Sequence, residues 1–122
     1  MNRYEESYHL YDEGMVRFEN GDYPSSLNCF LKSCELNEHF KTYSRIGECL
    51  TKLGKQNESV TYMKKAFELN PNNDKVSLQY SEALIMSGNI IRAREILIRL
   101  IDRNSSYKPA KIVLDKISRL NK

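Results

Sequence analysis

Residues 40–73 read FKTYSRIGECLTKLGKQNESVTYMKKAFELNPNN, and the spacing of the apolar residues within them decides the fold. Phe40, Tyr43, Ile46, Gly47, Leu50 and Leu53 keep to one stripe by steps of three and four, the period of a helix and not of a strand. After Gly54 the stripe resumes at Val60, Met63, Ala66, Phe67 and Leu69. It stops at Asn70-Pro71-Asn72-Asn73, where proline forbids continuation and asparagine suits a turn and the next helix N-cap. The stretch is therefore two helices joined by a tight turn at Gly54, a position that needs a residue tolerant of positive φ.

Working outward, the same pattern recurs around Gly21 and Gly88. A small residue precedes each turn glycine by seven positions (Gly14, Gly47, Ser81), and another follows by five (Ser26, Ser59, Ala93). A bulky apolar residue comes four further on (Phe30, Met63, Leu97). In the middle unit the small residues Gly47, Ser59 and Ala66 fall where the paired helices press closest. The period is about 34 residues, the length of helical-hairpin repeats. The pattern predicts helices over 3–19, 22–35, 39–53, 56–69, 73–86 and 89–103, with Pro24 harmless in a first turn. A last helix is predicted over about 107–120, with Ala110, Val113, Leu114 and Ile117 on one face and Lys108, Lys111, Asp115, Lys116 and Arg119 polar. An amphipathic helix of that kind covers the exposed end of a repeat stack.

The chain resembles the tetratricopeptide repeat family, most fully in the middle unit, where Tyr43, Ile46, Gly47, Leu50, Gly54, Ser59, Met63, Ala66 and Pro71 match in type and spacing. The first unit keeps Gly14, Gly21, Tyr23, Ser26, Phe30 and Leu36 but has Glu38 in place of the closing proline. The third keeps Tyr80, Leu84, Gly88, Ala93 and Leu97 but has Ser105 there. The resemblance implies an all-α fold, a right-handed superhelical stack of antiparallel helix hairpins with about seven helices. It implies one domain over 1–122: repeats 7–39, 40–73 and 74–107, then a capping helix over 108–120.

Composition narrows the function. Net charge is +3, too small to demand a polyanionic partner. Residues 1–60 carry seven Lys/Arg against ten Asp/Glu, and residues 61–122 twelve against six, so the second half is the basic one. Its cations are scattered around two helices, interrupted by Glu95, Asp102 and Asp115 and without aromatic residues for base stacking, which argues against nucleic acid. The polar N-terminus lacks the apolar run of a signal peptide, and no apolar stretch could span a bilayer. Cys29, Cys34 and Cys49 lack metal-ligand spacing and read as reduced thiols, with Cys29 and Cys49 expected to be buried and the protein cytoplasmic. His9 and His39 have no companion at metal or general-base spacing, and His39 suits a surface or helix-capping role. No phosphate loop, nucleophile elbow or dinucleotide fingerprint appears. The expectation is a protein without enzymatic activity, cofactor or metal.

In the family the first helix of each hairpin lines a concave groove. The resemblance therefore nominates Tyr8, Tyr11, Met15 and Phe18, then Lys41, Arg45 and Glu48, then Lys75, Leu78, Gln79 and Glu82 as partner-binding residues. Two readings of the Tyr8–Phe18 stripe stay open, a groove wall for an apolar peptide or simply core, because Glu13 and Arg17 occupy family packing positions and the helix could be rotated. Lys41, Arg45 and Lys75 read either as a cationic patch or as a solvated face paired with Glu48. Chaperone-binding members grip a terminal carboxylate at positions held here by Tyr11, Met15, Arg45, Lys75 and Gln79, of which only Lys75 agrees in type. That clamp is missing.

The function these readings favour is a protein–protein adaptor or scaffold that binds a peptide or helical segment of a partner, as a monomer or homodimer and away from membranes. The alternatives are a small secretion or assembly chaperone for a hydrophobic partner segment and a self-associating repeat protein with the aromatic stripe as its seam.

Overall fold

The computed structural model describes residues 1–120. All regular structure among them is helical: α1 (Arg3–Glu19), α2 (Tyr23–Leu36), α3 (Phe40–Lys52), α4 (Gln56–Leu69), α5 (Asp74–Met86), α6 (Ile90–Arg103) and α7 (Lys108–Leu120). Each limit lies within one residue of the sequence expectation. The helices pack in chain order, α1 on α2 through α6 on α7, with α5 also reaching α7.

Local chemistry sets the limits. Asn2, Asp22, Asn73 and Asn89 accept hydrogen bonds from backbone N–H groups in the first turns of α1, α2, α5 and α6. His39 does the same for α3, its Nδ1 accepting from the Lys41 N–H at 3.1 Å. Three hairpin turns end alike. Gly54 has φ +76°, and the next residue, Lys55, returns its N–H to the Leu50 carbonyl at 2.8 Å. This is the Schellman closure, which needs a left-handed residue. Asp22 and Asn89 repeat it on the Arg17 and Leu84 carbonyls after Gly21 and Gly88.

The other two glycines serve close approach. A Cβ on Gly14 would lie 2.7 Å from the Phe30 ring, and one on Gly47 would lie 2.7 Å from the Met63 methyl. That proximity lets Ser26 Oγ donate to the Gly14 carbonyl and Ser59 Oγ to the Gly47 carbonyl, both at 2.7 Å. The first hairpin is also pinned at its open end. Ser7 Oγ lies 2.9 Å from the Ser33 carbonyl, and Ser33 Oγ donates to the Ser7 carbonyl at 2.7 Å.

Buried apolar residues form three clusters along the stack. The first joins Phe30 of α2 to Tyr43, Ile46, Cys49 and Leu50 of α3, with Ala66 and Val76. The second joins Met63 to Tyr80, Ala83, Leu84, Ala93 and Ile96. The third joins Leu97 and Leu100 to Ala110 and Ile117, so α7 covers the end of α6. One reading left open by the sequence is decided here, and one expectation needs correction. The first helix is not rotated: Gly14 meets Phe30 in phase with Gly47 and Met63, while Glu13 and Arg17 stay exposed and pair with each other at 3.3 Å. Cys29 is only half-buried, whereas Cys49 is fully enclosed.

Candidate functional site

Of the residues nominated on α1, α3 and α5, all but Met15 and Leu78 line three clefts between these helices. The first, of about 280 Å³, lies between Tyr4, Tyr8 and Tyr11 of α1 and His39, Lys41 and Thr42 at the start of α3. The second, of about 300 Å³, is bounded by Tyr11, Phe40, Lys41, Arg45, Glu48, Lys75 and Val76. A third, of about 220 Å³, lies at the other end of the same three helices, among Phe18, Glu48, Gln79, Glu82 and Met86.

The aromatic stripe divides between the two readings left open by its spacing. Tyr8 projects into solvent, 68 % exposed. Tyr11, Met15 and Phe18 are half-buried against the first cluster, and the Tyr11 ring sits 5.4 Å from that of Phe30. Tyr11 and Phe18 are core on one side and cleft wall on the other, while Met15 is packed on the core alone.

Tyr11 also begins a polar chain across the three helices. Its hydroxyl accepts from Arg45 Nε at 3.3 Å, Arg45 Nη1 pairs with Glu48 Oε2 at 3.3 Å, and Gln79 Nε2 donates to Glu48 Oε1 at 2.8 Å. The Ser44 hydroxyl donates to Gln79 Oε1 and closes the chain. Burial works against the Arg45 charge, but the Tyr11 hydroxyl and the Glu48 carboxylate outweigh it and hold the guanidinium above its usual range. Arg45 is thus neutralised by Glu48, as an ordinary pair would have it. Lys41 and Lys75 flank it, exposed and without an ion pair among the described residues. Leu78 lies apart from the clefts, packed on the third cluster with residues of α7. Glu82 lines the third cleft and stays exposed, but partial desolvation there raises its pKa and the charge of Lys116 opposes the shift.

Chemistry at the remaining candidates is subdued. Burial pushes the Cys34 thiol up to about 11 and raises Cys29 and Cys49 as well, which keeps all three protonated at neutral pH. Among the described residues no three His, Cys, Asp or Glu side chains converge as metal ligands, and no helix is long and apolar enough to cross a membrane.

A family model for the tetratricopeptide repeat matches residues 50–111. The chain belongs to the tetratricopeptide repeat family. No curated protein matches it significantly in sequence. Among solved structures, this tetratricopeptide chain is similar to the first such domain of Spaghetti (RPAP3) bound to the HSP90 peptide SRMEEVD. The TM-score is 0.88 at 18 % identity, over 95 % of this chain and 93 % of that one. The second such domain of human RPAP3, in complex with an HSP70 peptide, gives 0.87 at 17 %, over 96 % and 98 %. The Yersinia enterocolitica type III secretion chaperone SycD, in complex with a peptide of the translocator YopD, gives 0.84 at 14 %, over 94 % of each chain. At such identities the likeness establishes the fold.

Sequence reasoning missed two members of the candidate site and one of its bonds. The bond from Ser44 to Gln79 carried no signal, because the two lie 35 residues apart. Gln56 and Met63 enter the third cleft from α4, the second helix of its hairpin, which the groove rule passes over. A check for polar residues beside the turn glycines would have flagged Gln56.

Proposed function

We propose that the protein is a non-enzymatic adaptor that holds a peptide segment of another protein against the face built by α1, α3 and α5. The observation that carries this reading is the chain of contacts from Tyr11 through Arg45 and Glu48 to Gln79. It locks three helices in one arrangement before any ligand arrives, so little conformational entropy is lost on binding. Exposed Tyr8, Lys41 and Lys75 on the same face are then the groups that meet the partner, the lysines setting its orientation. The units 7–39, 40–73 and 74–107 with the helix over 108–120 act as a single domain in the cytoplasm, without cofactor. Peptide-bound structures of the same fold support the choice of a peptide as the partner segment.

The test uses the full chain as bait in a lysate of its source. Tyr8→Ala with Lys41→Glu and Lys75→Glu should abolish capture of the partner while far-UV circular dichroism stays unchanged. Lys64→Glu with Lys111→Glu, exposed on α4 and α7, should leave capture intact. Retention of the partner by the groove variant would remove the proposal.

A further inference from the structure

The cleft of about 220 Å³ has walls of two kinds. Phe18, Met63, Ala83 and Met86 make it apolar, and Met86 leaves 65 % of its surface in solvent. Methionine is flexible and polarisable, so such a wall adapts to different apolar side chains. Gln56, the first residue of α4, and Glu82, on α5, add polar groups that nothing else in the described structure engages. Gln56 Nε2 is buried and has no hydrogen-bond partner, the one side-chain atom in that state among the described residues. A buried amide donor without an acceptor is destabilising, and native structures rarely leave one without a reason. Glu82 forms no ion pair and accepts no hydrogen bond among the described residues, although Lys116 is near enough to bias its titration.

The other two charges at the cleft are already committed. Glu48 holds Arg45 and Gln79. Lys52 directs its ammonium to a point 5.9 Å from the centre of the Tyr23 ring, which is not a wall of the cleft. The cleft is therefore an apolar hole with one free donor and one free carboxylate. At the opposite end of the same face Lys41 and Lys75 give the second cleft the reverse sign.

We propose that the cleft is a side-chain subsite for a partner segment, taking one residue of methionine or leucine size that has a lysine or arginine beside it. The apolar side chain fills the space between Phe18, Met63 and Met86. A backbone carbonyl of the segment accepts from Gln56 Nε2 after the amide turns about its terminal torsion, which is soft. The neighbouring cation meets Glu82. Because Lys41 and Lys75 stand at the far end, the segment runs with its basic end at Glu82 and its acidic end at the lysines. The proposal rests on the groove reading above and specifies the partner's chemistry.

The probe is a phage-displayed library of random dodecamer peptides selected on the full chain. Selection should enrich Met, Leu or Phe with Lys or Arg within two positions. Synthetic copies should shift the Gln56 side-chain amide resonance in proton–nitrogen correlation spectra. Met86→Glu should weaken them about tenfold or more. Glu82→Lys should change the enriched neighbour from basic to acidic. Both positions are exposed, so helicity should not move. Peptides that lose affinity with Lys41→Glu and Lys75→Glu yet ignore Met86→Glu and Glu82→Lys would overturn the subsite and leave the groove standing. A library that yields no binder would overturn both.

Discussion

The first two hairpins and the third close the same seam with different bonds. In the first two, a glycine on the leading helix brings the backbones together and a serine on the trailing helix donates across the gap, Ser26 to Gly14 and Ser59 to Gly47, each at 2.7 Å. In the third the small residues change places: Ser81 is on the leading helix and Ala93 on the trailing one, both fully buried. The Ser81 hydroxyl turns back on its own helix and donates to the Ser77 carbonyl at 2.8 Å. What the three seams share is volume, small against small with a large apolar residue one turn on. The cross-helix hydrogen bond is a local addition.

The largest effect should come from filling the seam. Gly14→Ala drives a Cβ to 2.7 Å from a ring carbon of Phe30, which is fully buried and cannot swing aside. Overpacking costs about 1–3 kcal/mol, and the gain in helix propensity returns at most about 1 kcal/mol. A net loss of about 1–2 kcal/mol is expected in urea unfolding at constant m-value. Gly47→Ala should cost about half as much, because the atoms in its way are the thioether end of Met63. Equal losses would mean that backbone spacing, not side-chain give, sets the tolerance. Next in size, Ser26→Ala should lose about 1 kcal/mol. Ser59→Ala should lose less, since the Gly47 carbonyl keeps the Thr51 hydroxyl at 3.0 Å.

The sequence showed the shared part of the seams and hid the rest for a physical reason. Turn glycines, Asn and Asp caps and apolar period are local signals that agree with one another, so every helix limit was readable to within a residue. Gly14 and Gly47 were equally legible as close-approach positions, because small residues at a fixed offset have few other uses. The fate of α1 was not. Tyr8 and Tyr11 share a stripe, but only Tyr11 lies over Phe30, and that depends on where α2 and α3 come to rest. Glu48 looks like an ordinary helix-surface partner for Arg45. Its second bond, to Gln79, spans 31 residues and has no local signature. The candidate site was therefore found as a face and missed as a network.

The hairpins also differ in how their open ends are tied. The first uses Arg3 Nε on the Leu36 carbonyl at 2.9 Å, with no carboxylate involved. The third uses Asp74, whose carboxylate accepts from Asn104 at 2.8 Å and pairs with Arg103 at 3.0 Å. The Asn104 hydrogen bond, helped by Arg103, holds the Asp74 pKa below the usual carboxylate range. A depressed folded pKa adds stability that is present above the unfolded value of about 3.9 and is lost as pH falls through the lower folded value. Asp74→Asn should therefore cost up to about 1 kcal/mol at pH 7, the range of a partly exposed pair at a helix start. Wild type and variant should converge as pH falls through the lowered folded value. Amide exchange should show the acid-side loss in α5 and α6 first. Loosening of α1 and α2 over the same range would break the contrast between the two ends.

The smallest expected change asks whether the third seam keeps the geometry of the other two. Ala93→Ser puts a hydroxyl at the repeat position of Ser26 and Ser59, at the same offset from Ser81 as theirs from Gly14 and Gly47. If the helices sit equally close, the new hydroxyl finds the Ser81 carbonyl and stability should change by no more than about 0.5 kcal/mol, since a satisfied buried hydrogen bond is a small net term. If the Cβ of Ser81 holds the helices apart, the hydroxyl is buried without a partner and the loss rises to about 1–3 kcal/mol. Urea midpoints separate these outcomes cleanly. A small change would mean that Phe30, Met63 and Leu97 set the spacing of the hairpins and that the serines only decorate it. A large one would mean that glycine itself sets the spacing in the first two.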